Sequence, residues 1–177
     1  TYNVYDAVVD GKVTTVKTST SYTVEKGSFD LGDVVKTNSK GYITDLSGID
    51  KDDKAENGYK SYTGTQKVKN ETIGLGEAKN DRWYAYSDDV LVVYIEDGDL
   101  SIGTINGVKN DANDSVVAVF DDSVVIALFI TVKDDGNEPE EEINAEVAIS
   151  GDVSATPEDY TTREDMFYLD PGAYVLT

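Results

Sequence analysis

Histidine and cysteine are both absent from these 177 residues. Their absence removes disulfides, zinc–thiolate sites, thiol nucleophiles and the imidazole base of the usual nucleophile–base pairs. Arginine occurs only at Arg82 and Arg163, so bidentate guanidinium recognition of phosphate or carboxylate is scarcely available. Tryptophan and methionine occur once each. No apolar run is long enough to cross a membrane as a helix, and no signal peptide is visible. The chain starts at Thr1 rather than Met, which reads as a processed chain or an excised fragment.

Acid is what the chain has in excess: 35 Asp and Glu stand against 15 Lys and Arg, for a formal charge of −20. A field of that sign repels phosphate backbones and anionic lipid, which argues against nucleic acid and membrane surfaces as partners. It favours solubility and cation association. Hydrophobic residues make up 39%, enough for a core because they are concentrated in short runs. Tyrosine is common at 12 and suits thin sheets, since its ring can be buried while its hydroxyl stays wet. A cysteine-free chain rich in Thr, Tyr, Asp and Gly points to an exported, extracellular bacterial protein.

Four times a β-rich run meets a tight turn and a second β-rich run. Val4–Val9 meets Asp10-Gly11 and Val13–Val16. Val34–Lys36 meets Asn38–Gly41 and Tyr42–Leu46. Val90–Ile95 meets Asp97-Gly98 and Leu100–Ile105. Val116–Phe120 meets Asp121-Asp122 and Val124–Val132. β-Branched residues suit a pleated surface, and Asp, Asn and Gly accept the positive φ of a primed turn. The spacing therefore predicts antiparallel hairpins and an all-β fold, a barrel or a sandwich. Val124–Val132 lacks polar alternation and is predicted to be a central strand covered on both faces. Trp83–Tyr86 reads as a short strand, with a turn at Ser87-Asp88 or Asp88-Asp89 before Val90. Tyr59–Lys69 reads as one or two short strands, and Gly74 and Gly76 argue against a helix over Glu71–Lys79.

Residues 1–133 form the expected main β domain, with room for two related units at about 1–58 and 59–133. Residues 51–58 read as an exposed loop. Asp134–Glu142 has charge, Gly and Pro but no apolar residue, and reads as an acidic linker or long loop. Residues 143–177 are too few to fold alone. They either dock on the body or begin a truncated domain.

No catalytic residue stands out. Two-carboxylate hydrolysis needs a facing pair in a cleft, and 35 acids single out no pair. The expectation is a non-enzyme. Calcium is the better chemical candidate, because it takes clustered oxygen ligands on loops. The loops in question are Asp50/Asp52/Asp53 with Glu56, Asp97 with Asp99, and Asp111/Asn113/Asp114. The last has the first spacings of an EF-hand loop but lacks its sixth-position Gly and twelfth-position Glu. Turn chemistry is the favoured reading of all three. No cofactor is required otherwise. Trp83, Tyr84, Tyr86 and Tyr94 could stack on a sugar ring. Strand alternation sets Trp83 off the face of Tyr84 and Tyr86, and cross-strand aromatic packing is the favoured account.

The strings Val9-Asp10-Gly11-Lys12-Val13-Thr14, Gly32-Asp33-Val34-Val35 and Asn113-Asp114-Ser115-Val116-Val117-Ala118-Val119-Phe120-Asp121-Asp122 resemble, in style and composition, a known kind of surface protein. These are the repeat regions of Firmicutes proteins that carry S-layer homology anchoring modules. The resemblance covers most of residues 1–133. It implies an extracellular, wall-associated β domain acting as spacer, lattice element or adhesin. Its partners would be the cell wall, other surface proteins or a glycan, and it implies no catalytic residues.

Overall fold

The structure is a computed structural model that describes residues 1–64, 67–76, 82–111, 114–133 and 173–176. Its strands are β1 (Asn3–Val9), β2 (Lys12–Thr18), β3 (Phe29–Gly32), β4 (Val34–Thr37), β5 (Ile43–Ser47), β6 (Gly58–Thr63), β7 (Lys67–Lys69), β8 (Thr72–Leu75), β9 (Arg82–Glu96), β10 (Asp99–Gly103), β11 (Ser115–Asp121), β12 (Val124–Thr131) and β13 (Ala173–Leu176). One 3-10 turn, Ile105–Gly107, is the helical element among the described residues. The fold is all-β, as the hairpin pattern predicts. The chain divides into two compact units, Thr1–Gly48 with Glu140–Thr177, and Ile49–Pro139.

The first unit is a six-stranded sheet in the order β3-β13-β1-β2-β5-β4. The β1–β2 hairpin closes through Asp10 and Gly11 at φ 49° and 69°, the two positive angles of a type I′ turn. Its core is Ala7, Val16 and Ile43, flanked by Tyr5, Val9, Val24, Val35 and Leu46. Between β2 and β3 the chain is held by polar side chains. Asn3 Nδ2 and the buried Thr18 hydroxyl each donate to the Tyr22 carbonyl at 3.1 Å. The Tyr22 hydroxyl in turn donates to Asp30 Oδ2 at 2.6 Å. Burial and that carboxylate push the Tyr22 phenol well above its usual value. In the β4–β5 connection, Asn38 Oδ1 accepts from the amides of Lys40 and Tyr42 at 2.9 and 3.1 Å, which is the turn chemistry expected of Asn.

The second unit is a seven-stranded sheet ordered β6-β11-β12-β9-β8-β7, with β10 paired to β9. One of the two sheets curls into a half-barrel. The inner face gathers Ile73, Leu75, Val92, Val116, Ala118, Phe120, Val125, Leu128 and Ile130, with Ala55 joining from the loop before β6. β12 is interior to the sheet, antiparallel to β11 and parallel to β9. Ala127 and Phe129 of β12 are buried as well as Leu128 and Ile130, so the strand is covered on both faces as predicted.

Three local expectations are corrected. The turn placed at Ser87–Asp89 does not form: β9 runs unbroken for 15 residues. On one edge its first part pairs with β8 and its last part with β10, while its other edge follows β12. The polar residues appear instead as a bulge, because Tyr86 and Leu91 face Val125 and Ala127, setting five residues of advance against two. The turn placed at Asp121-Asp122 lies one residue later, at Asp122 and Ser123 with φ 51° and 65°. The strand read through Ile105 ends at Gly103, and Ile105 enters the 3-10 turn.

Ser123 carries a left-handed φ that costs an L-residue about 1–2 kcal/mol. Ser123→Gly is expected to stabilise the second unit by about 0.5–1 kcal/mol, a little less than the relieved strain because glycine also loosens the unfolded chain. Urea titration followed by tryptophan fluorescence would check it.

Candidate functional site

The aromatic set divides between the two faces of β9. Tyr84, Tyr86 and Tyr94 pack on the inner core. Tyr84 meets Phe120 edge-on at 5.0 Å between ring centroids, and the Tyr62 hydroxyl donates to the Tyr84 hydroxyl at 3.2 Å. Burial and that hydrogen bond push the Tyr62 phenol well up. Tyr94 covers Gly103 across the β9–β10 pair. Its phenol is raised by burial, with the Asp114 carboxylate adding to the effect. These three rings therefore form no platform with Trp83.

Trp83 faces the other way and is 44% exposed. Its cross-strand partner is Gly74, and the indole lies directly over it: a methyl on Gly74 would stand 3.3 Å from the ring. The same face of the sheet carries exposed Ala85, Thr72 opposite Ala85, and exposed Lys69 opposite Thr72. The indole thus stands among small residues with an ammonium-bearing side chain on the neighbouring edge. Gly74 was visible in the sequence only as a helix breaker. Its role under the ring comes from strand pairing, which no local pattern encodes.

The acidic loops are built by turn chemistry. In the loop before β6, the Asp52 carboxylate accepts from the amides of Lys54, Glu56 and Asn57 at 2.9, 2.9 and 2.8 Å. Those amides, Asn57 first, hold its carboxyl below the ordinary 3.8. Asp53 pairs with Lys51 at 3.0 Å. Asp97 supplies the positive φ of the β9–β10 turn, and Asp99 opens β10 opposite Glu96. Asp114 is buried, and its Oδ1 accepts from the Lys133 amide at 3.3 Å. Asp111 is half-buried, and Asn113 lies outside the described residues. Among the described residues no group of three acids converges as a metal cage would require.

The loop before β6 also anchors the β11–β12 turn. The Ser123 amide donates to the Glu56 carbonyl at 2.8 Å, and the Asp122 amide to Asn57 Oδ1 at 3.0 Å. A carboxylate stabilised by amides only in the folded state adds stability above its unfolded pKa, and that stability is lost as pH falls through the lower folded value. The second unit should therefore lose stability below about pH 3.8. In Asp52→Asn this acid-dependent component should be absent, as read by acid titration of tryptophan fluorescence in both proteins.

No family model matches the chain, and no curated protein or solved structure is significantly similar to it.

Proposed function

We propose that the chain is a non-catalytic structural or interaction domain of a secreted or surface-displayed bacterial protein, serving as a spacer, lattice element or adhesin against the cell wall or other surface proteins. The observation that carries this reading is the place its acidic residues take in turns and loops. Asp10, Asp97 and Asp122 hold turns at positive φ, and Asp52 organises a loop. The acids thus build and solubilise hairpins. The missing imidazole and thiol, and the resemblance to wall-anchored repeat regions, point the same way.

Two measurements test it. An antibody to the chain should label intact cells of the source bacterium; labelling only after permeabilisation would overturn the surface placement. Incubation with purified wall polymers should release no new reducing ends, and sustained release would make the chain a hydrolase instead.

A second reading has its own support in the exposed Trp83 ring seated on Gly74: a glycan-binding face. Trp83 is the one tryptophan, so a titration with oligosaccharides reads the site directly. A saturable fluorescence change, lost in Trp83→Tyr when binding is followed by calorimetry, supports it, and a flat titration removes it. For calcium, a melt with the ion and with chelator at constant ionic strength decides. A shift of several degrees would establish a bound ion, and coincident curves would leave the acids as surface.

A further inference from the structure

The second sheet changes sign of charge where it carries its exposed indole. Strands β7 and β8, with β9 from Arg82 to Tyr86, contain Lys67, Lys69 and Arg82 and no acid. In the whole chain, acids outnumber bases 35 to 15. Glu71, in the turn between β7 and β8, is the one acid these strands enclose. Strand alternation sorts the cations. Arg82 stands opposite the core residue Leu75 and goes with the inner face. Val68 and Ile73 pair with each other and pack on the inner core. Lys69 and its partner Thr72 therefore face the other way, with Ala85 and Trp83. Lys67 is the register partner of Gly74. Among the described residues, the Lys69 ammonium is paired with no carboxylate.

The indole is laid flat beside this lysine. A methyl on Gly74 would stand 3.3, 3.3 and 3.4 Å from three successive ring carbons, Cη2, Cζ2 and Cε2. An edge-on ring would bring one of those atoms much nearer than its neighbours, so the ring turns a face to the glycine. Its exposed part is then the opposite face and the rim, a stacking surface for the C–H face of a sugar. The floor beside it is low, made of Gly74, Thr72 and Ala85. Lys69 lies two strands from Trp83, about 10 Å away, a span that a short saccharide covers.

We infer that this face takes an anionic saccharide, whose ring lies on Trp83 and whose carboxylate or phosphate meets Lys69. The inference rests on the glycan-binding reading above and names the class of sugar. A neutral sugar leaves the lysine unused. The negative field of the whole chain does not forbid an anion here. At about 0.15 M ionic strength that field is screened beyond about 8 Å, whereas the ammonium acts at contact. An ammonium is a point charge and suits either anionic group. A single-stranded nucleic acid could stack a base on the same ring, but its backbone needs a run of cations. Outside these strands the chain is predominantly acidic.

The test follows Trp83 fluorescence and calorimetry at that ionic strength. The probes are an oligogalacturonate with its methyl ester, a phosphorylated oligomannoside with its unphosphorylated form, and oligo(dT). A charged sugar is expected to bind about two- to fivefold tighter than its neutral counterpart, the gain that an exposed ion pair supplies. Lys69→Gln should abolish that preference and Lys69→Glu should reverse it. Lys109→Gln makes the same charge change at an exposed lysine past the 3-10 turn, and should leave the preference intact. Comparing the two charged sugars identifies the anionic group. Equal binding of charged and neutral sugars, or a preference kept in both Lys69 variants, overturns the inference and leaves the glycan-binding face standing. Binding of no saccharide at all overturns both. Tighter binding of oligo(dT) than of any saccharide overturns the inference in favour of nucleic acid.

Discussion

Leu128→Ala is expected to lower the stability of the second unit by about 2–5 kcal/mol, the usual cost of emptying a buried leucine site. Leu128 is fully buried in the middle of β12, the strand on which both β11 and β9 depend. Its neighbours in the inner core include Val92, Ala118 and Ile130. These sit on paired strands, and a sheet laddered on both sides of β12 cannot collapse into the space without breaking register. The cost should therefore fall towards the upper part of that range. For a unit of this size the melting temperature should drop by about 10 °C or more. The single tryptophan lies in this unit, so its fluorescence follows this transition apart from that of the first unit. Val13, 46% exposed on β2 of the first unit, supplies the contrast. Val13→Ala should leave the tryptophan-detected melt where it is.

Gly58→Ala should be nearly as damaging, for a different reason. Gly58 sits at φ 129°, a region open in practice to glycine alone. A methyl there would also collide with the Asp50 carbonyl oxygen and come within 3.2 Å of Asp52 Cβ. That carbonyl accepts the Tyr59 amide at 2.8 Å, the bond that closes the loop onto β6. The backbone conformation alone costs about 1–3 kcal/mol, and the collision adds to it. Opening the loop would withdraw buried Ala55 from the core and release the acceptors held by Glu56 and Asn57. Hydrogen exchange at the Asp122 and Ser123 amides should accelerate before the core amides do. Gly98→Ala is the matched control. Gly98 also has positive φ, at 89°, but a methyl there meets nothing within 4 Å. It should cost only the conformational strain, about 1–2 kcal/mol. Equal losses at the two glycines would mean that the Asp50 collision is relieved without cost.

The parts of this fold that were legible in the sequence are those governed by neighbours in the chain. Asp10-Gly11 and Asp97-Gly98 announce hairpins because a primed turn needs two adjacent residues that tolerate positive φ. The error at Ser87–Asp89 follows from the same logic. A bulge and a turn recruit the same residues, and only the partner strand decides between them. β9 continues past the bulge, with β12 paired to it at Tyr86 before and from Leu91 after. The one-residue displacement to Asp122-Ser123 goes with the register shift at Val119/Phe120, opposite Ala127 and Val125. Long-range pairings left no local trace: β13 between β1 and β3, or β12 parallel to β9. At the candidate site, alternation along β9 correctly separated Trp83 from Tyr84 and Tyr86. The glycine beneath the indole and the amides filling the Asp52 carboxylate depend on pairing and loop closure, which composition cannot express.

The register of β1 with β13 has a mechanical consequence. Ala7 faces Val175 and Val8 faces Tyr174, so the leading end of β1 and the trailing end of β13 lie at the same end of their ladder. Tension applied through Thr1 and Thr177 would therefore peel these strands apart one residue pair at a time. It would not shear all their bonds together. Peeling of this kind proceeds at low force. Under stretch, the pairing of β1 with β13 would open one pair after another from that end.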